Sequence, residues 1–78
     1  MNATELFATL KKGDTVEVHF GGGIDCEAVG TVITPQLSLS NHFRMTFNAD
    51  VWDRLARQWH RKGSEVIVHA NELVAILK

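Results

Sequence analysis

Residues 48–63 read NADVWDRLARQWHRKG, and they are the one strong helical signal in a sequence that otherwise predicts short strands. At about 100° per residue, five apolar side chains of this segment would share an arc of roughly 140° on a helix. They are Val51, Trp52, Leu55, Ala56 and Trp59. Arg54, Arg57 and Arg61 would point the opposite way. The pattern predicts an amphipathic helix over about residues 49–62, capped by Asn48 and ended by Gly63.

On both sides of this segment the chain has the two-residue hydrophobic period of half-buried strands. Val16, Val18 and Phe20, for example, alternate with polar neighbours. The predicted strands cover about residues 15–20, 27–34, 42–47, 65–69 and 73–77. At the start of the chain, Asn2 and Glu5 have the spacing of a capping box, which predicts a short N-terminal helix.

These elements predict an α+β, mainly β, fold in one small domain that spans residues 1–78. Five short strands in an open sheet would leave the edge strands unprotected, and closure into a barrel removes those edges. We therefore expect a five-stranded small barrel with a short N-terminal helix. The amphipathic helix at about 49–62 would be inserted between the third and fourth strands.

Three segments strengthen this expectation: KKGDTVEV (11–18), EAVGTVIT (27–34) and EVIVHANELVAIL (65–77). Their order resembles the SH3-like small β-barrels, in which Gly-Asp enters the first strand and Gly-Thr-Val lies in the second. The resemblance implies a brief helical turn of the Asn-Glu-Leu type before the last strand. It implies a fold and no particular activity, because such barrels serve many functions.

Composition excludes several classes of protein. With one cysteine, Cys26, no disulfide can form within the chain, so a disulfide-stapled miniprotein is excluded. No stretch approaches the roughly 20 apolar residues that span a bilayer. We expect a soluble cytoplasmic protein with no membrane partner. At 78 residues, a single core is only just sufficient, and chains of this size often gain stability by self-association.

The predicted helix supplies the candidate binding residues. They are Arg54, Arg57, Arg61, Lys62, Trp52 and Trp59. From Arg44 to Lys62 the chain carries five basic residues and two acidic ones, whereas the remainder has a net charge of −4. Arg54, Arg57 and Arg61 would form a basic stripe on the predicted helix, and this stripe has two interpretations. It is a binding face for nucleic acid or an acidic protein, or it is a solvated face in which Arg54 and Arg57 pair with acidic residues four positions earlier.

The aromatic side chains also have two interpretations. Phe20, Phe43 and Phe47 are in phase with the inner faces of strands, and burial in the core is favoured for most of the six aromatic residues. Trp52 and Trp59 are the strongest candidates for a role outside the core.

The sequence predicts no catalytic residue, cofactor or metal. His19 and Cys26 could meet across the first hairpin, with Asp25 and Glu27 beside them, but their spacing matches no metal-binding motif. The glycines at residues 21–23 precede a strand, whereas a phosphate-binding loop precedes a helix, so a mobile hairpin is favoured.

We therefore expect a non-enzymatic binding or adaptor module that acts through protein–protein interaction or as a homo-oligomer. The alternative is a nucleic-acid-binding accessory protein that uses Arg54, Arg57 and Arg61. A third possibility, a ligand pocket or enzyme site between subunits, has no supporting cluster of acids, bases or nucleophiles in the sequence.

Overall fold

The computed structural model describes residues 2–21 and 26–77. The order of elements is α1 (Ala3–Ala8), β1 (Thr15–Phe20), β2 (Cys26–Thr34), β3 (His42–Phe47), β4 (Val51–Asp53), β5 (Gln58–His60), β6 (Glu65–His69), a 3₁₀ turn (Ala70–Glu72) and β7 (Leu73–Leu77). Five strands form an antiparallel sheet in the order β6-β3-β2-β1-β7, and β4 pairs with β5 in a separate hairpin.

The predicted N-terminal helix is confirmed as α1. The Asn2 carboxamide oxygen accepts a hydrogen bond from the Glu5 N–H at 2.9 Å, which satisfies one of the free donors at the helix start. Leu6 and Phe7 on this helix pack against the core, and the rings of Phe7 and Phe43 lie 6.3 Å apart. The helix thus covers one end of the sheet.

The core follows the strand periodicity. Alternate residues of β1, β2 and β3 are buried, and the predicted burial of Phe20, Phe43 and Phe47 is confirmed. Gly30 allows β2 to lie close to β3. A Cβ at this position would lie 2.7 Å from the Thr46 carbonyl oxygen and would collide with the Met45 side chain. The role of Gly30 is therefore close approach between β2 and β3.

The predicted helix at 49–62 is wrong, because this segment forms the β4–β5 hairpin. Trp52 and Trp59 are directly opposite each other in its register. Asp53 accepts hydrogen bonds from the N–H groups of Leu55 and Ala56, both at 3.0 Å, and thereby closes the turn. An aspartate that bonds its neighbouring backbone in this way competes with helix continuation.

The predicted closed barrel is also wrong. In the part of the chain that the structure describes, β6 pairs only with β3 and β7 only with β1, so the sheet is open. Near β7 the core is covered without closure of the sheet, because α1 packs against β7 and the 3₁₀ turn. The fold is mainly β, with seven strands in two antiparallel sheets and one short α-helix among the described residues.

The glycine triplet at 21–23 lies mostly outside the described residues, which resume at Cys26. Among the residues that the structure describes, none of the helices has the length and apolar character needed to cross a membrane.

Candidate partner-binding surface

The β4–β5 hairpin has an inner and an outer side. Val51 and His60 face each other on the inner side, and Val51 packs against the hydrophobic core. Because successive side chains of a strand point to opposite sides, Trp52 and Trp59 lie on the outer side. The hairpin therefore presents its two largest side chains away from the sheet.

Asp53 and His60 hold the inner side in place. Asp53 is only 1% exposed, and its Oδ2 lies 3.0 Å from Nε2 of His60. The His60 ring is in turn stacked on Phe47, with centroids 5.3 Å apart and planes inclined by 22°. The hydrogen bond from the Ala56 N–H, followed by that from His60, lowers the pKa of Asp53 below its ordinary value.

The outer side of the hairpin carries two indole rings and one guanidinium. We call this surface the tryptophan face, and it consists of Trp52, Trp59 and Arg61. The two indoles are in edge-to-face contact, with centroids 5.4 Å apart, and they are 42% and 50% exposed. The Arg61 guanidinium carbon lies 5.4 Å from the centroid of the Trp59 ring, within the range of a cation–π interaction.

Asp50 orients the basic end of this face. Its carboxylate accepts a hydrogen bond from Nη1 of Arg61 at 3.2 Å and one from the backbone N–H of Lys62 at 2.8 Å. The Lys62 N–H, with a smaller contribution from Arg61, lowers the pKa of Asp50. Asp50 therefore stays ionised and holds Arg61 beside Trp59.

The predicted arginine stripe is absent, because its helix is absent. Arg54 and Arg57 instead bound the exposed turn of the hairpin, whereas Arg61 and Lys62 follow β5. Arg57 has a φ of 53°, the left-handed conformation with which such turns close. The structure brings Arg61 against Trp59 and places Arg54 and Arg57 at the tip.

A groove of about 600 Å³ lies beside the tryptophan face. Its lining consists of His19, Cys26, Glu27, Asp50, Val51, Trp52 and Arg54. His19, Cys26 and Glu27 all contribute to this lining, but the register places His19 opposite Glu27 and Cys26 opposite Phe20, so His19 and Cys26 are not register partners across the hairpin. Asp25 lies outside the described residues. Over residues 2–21 and 26–77, no group of three or more His, Cys, Asp or Glu side chains could hold a metal ion.

Sequence reasoning missed the pairing of Asp53 with His60 and the turn that joins them. The signal was the two triplets VWD (51–53) and QWH (58–60), each of which has a tryptophan at its centre. Read as strands, they place both tryptophans on one side, and Asp53 and His60 on the other.

Comparisons with protein-family models, with curated proteins and with solved structures gave no match to this chain. The resemblance to SH3-like barrels therefore stays a prediction.

Proposed function

We propose that this chain is a non-enzymatic binding module that takes a protein partner on the tryptophan face. The observation that carries the proposal is the pair of half-exposed indoles on a hairpin whose inner side packs on the sheet through His60 and Val51. Tryptophan and arginine are the side chains most enriched at the energetic centres of protein interfaces. A cytoplasmic location stays a prediction from composition.

The partner's chemistry follows from the surroundings of the two rings. Arg54, Arg57 and Lys62 are exposed around the hairpin, and Arg61 lies on Trp59. A protein segment with apolar side chains for the indoles and carboxylates for these cations fits this surface. Because Asp53 and His60 already fix the hairpin, little conformational entropy is lost when such a segment binds.

Selection from a displayed library of random peptides tests this proposal. We expect peptides that combine apolar and acidic residues to bind the wild-type chain. The double variant Trp52→Thr/Trp59→Thr, which keeps strand-forming residues, should bind them at least about 30-fold less tightly, since a single hot-spot tryptophan already contributes about 2 kcal/mol.

The matched control is Leu39→Ala, which shortens an apolar side chain that is 94% exposed in a different loop. This variant should bind the selected peptides as the wild type does. Hydrogen exchange at the Leu55 and Ala56 amides reports whether the hairpin persists in the double variant. Equal affinity of the wild type and the double variant, or a selection that yields no binder, would contradict the proposal.

The alternative partner is single-stranded nucleic acid. The contact of Arg61 with Trp59, close to Lys62, favours it, because indoles stack on bases while cations contact phosphates. Titration with a polydeoxythymidine oligonucleotide, followed by tryptophan fluorescence, distinguishes the two partners. Affinity that falls steeply with salt and is reduced in Arg54→Ala/Arg57→Ala would favour nucleic acid, whereas no quenching at low salt would remove this alternative.

A further inference from the structure

Strand β6 lies at one end of the five-stranded sheet, and its ladder shows which backbone groups are directed outward. The Phe47 N–H donates to the Ser64 carbonyl at 3.0 Å, and the Ala70 N–H donates to the Asn41 carbonyl at 2.7 Å. Since hydrogen-bonded positions alternate along an antiparallel pair, Val66 and Val68 also bond to β3. The N–H and C=O groups of residues 65, 67 and 69 consequently face away from the sheet.

This edge lacks the usual protection against strand pairing. Residues 65–69 read EVIVH, with no proline and no lysine, and the β3–β6 register runs without a bulge. Ile67, at the centre of the strand, is 54% exposed. One outward donor is already occupied, because the His69 N–H donates to Oε1 of Glu72 at 3.0 Å.

The sequence of β6 is complementary to itself when it is reversed. An antiparallel pair centred on Ile67 places Ile67 opposite Ile67 of a second copy, and Glu65 opposite its His69. Val66 and Val68 also face each other and extend the apolar inner side. A register centred on Val66 would instead place Glu65 opposite Ile67, which leaves the carboxylate against an apolar side chain.

The protonation of His69 suits this register. The Asn71 N–H donates to Nδ1 of His69 at 3.1 Å, so the neutral ring carries its proton on Nε2. The ring is in edge-to-face contact with His42 of the neighbouring strand, at 4.8 Å between centroids. His69 thus keeps an Nε2–H donor for a carboxylate.

We propose that β6 pairs with β6 of a second copy, in the register centred on Ile67, to form a two-fold symmetric dimer with a continuous ten-stranded sheet. Four backbone hydrogen bonds form without displacing any existing contact: two between the Ile67 residues, and two from the Glu65 N–H to the carbonyl of His69 in the other copy. The interface is isologous and closes on itself.

This dimer goes beyond the function proposed for the tryptophan face, because it uses a different surface. Sedimentation over a concentration series tests it. We expect a reversible monomer–dimer equilibrium for the wild type and a monomer for Ile67→Lys, since a lysine at the centre of an edge strand opposes pairing. The control Val74→Lys changes a half-exposed residue of β7, at the other end of the sheet, and should dimerise as the wild type does.

Cross-linking tests the register. In the proposed pair the two Cα atoms of residue 67 are about 5.5 Å apart, which a disulfide spans. Ile67→Cys should therefore form a covalent dimer on mild oxidation. Glu65→Cys should not, because its two copies would lie about 14 Å apart along the strands. The wild type, whose Cys26 is buried, is the background control.

Three results would overturn this proposal. The first is a wild type that stays monomeric at the highest concentration tested. The second is loss of dimerisation in Val74→Lys with retention in Ile67→Lys, which would assign the contact to β7. The third is cross-linking of Glu65→Cys without cross-linking of Ile67→Cys, which would exclude this register. None of these results bears on peptide binding by Trp52 and Trp59, so the two proposals fail separately.

Discussion

Asp53 connects local turn chemistry to the packing of the whole hairpin. Oδ1 accepts from the N–H groups of the turn, and Oδ2 lies against His60. A buried carboxylate is stable only when its oxygens are satisfied, and here each oxygen has a partner from a different part of the hairpin. The same side chain therefore closes the turn and fixes the inner side on which the tryptophan face depends.

The lowered pKa of Asp53 predicts acid sensitivity. In the unfolded chain this carboxyl has its ordinary pKa of about 3.8, and in the folded chain the value is lower. Its contribution is therefore fully present above the unfolded pKa, and it is lost as the pH falls through the folded pKa. Urea unfolding of the wild type should give a free energy of unfolding that decreases as the pH drops below about 3.8.

The variant for this prediction is Asp53→Asn. It should be less stable than the wild type near neutral pH, because an amide forms a weaker hydrogen bond with His60. Its stability should also change less across the acidic range. Equal pH dependence of the two proteins would show that Asp53 does not couple protonation to folding.

At the scale of elements, the sequence correctly predicts α1 and the five strands of the main sheet. These elements have one strong period each, and either a cap or a turn residue at their ends. The hydrophobic pattern of residues 48–63 fits both a helical period of about 3.6 residues and the two-residue period of a strand. Trp52 and Trp59, seven positions apart, lie on one side of a helix, and they are equally able to face each other across a hairpin with a four-residue turn.

Tertiary contacts decide between these two structures. Stacking of His60 on Phe47 and packing of Val51 against the core stabilise the hairpin, and neither contact can be read from local sequence. The sequence thus selects its candidate binding residues because tryptophans and arginines concentrate in this segment, and their role in binding stays a prediction. Their arrangement was not predictable, since it depends on the strand pairing.

Circular dichroism distinguishes the hairpin from the helix. Two indoles 5.4 Å apart in edge-to-face contact should give an exciton couplet in the ultraviolet spectrum. On a helix, the same residues would be separated by about 10 Å along the axis, and their coupling would be much weaker. We expect the couplet to disappear in Trp52→Thr and in Trp59→Thr alike, and to persist in Leu39→Ala. A wild-type spectrum without a couplet would contradict the hairpin pairing.

At the scale of the whole molecule, the tryptophan face and the β6 edge belong to different sheets over a shared core. Phe47 of β3 supports His60 of the hairpin, and β3 also pairs with β6. Both surfaces therefore depend on the position of β3. Because the core is small, the loss of one large buried side chain from this strand should affect both surfaces.

Phe43 provides that test. It lies fully buried on β3, and its removal as Phe43→Ala should cost about 3–5 kcal/mol. At roughly 0.05–0.15 kcal/mol per residue, a chain of this length has only about 4–12 kcal/mol of stability in total. Urea titration should therefore show a large fall in the midpoint for Phe43→Ala. Leu39→Ala, which shortens an exposed side chain, should change the free energy of unfolding by less than about 0.5 kcal/mol. Similar midpoints for the two variants would mean that β3 does not organise the core, because only a buried ring leaves a cavity when it is removed.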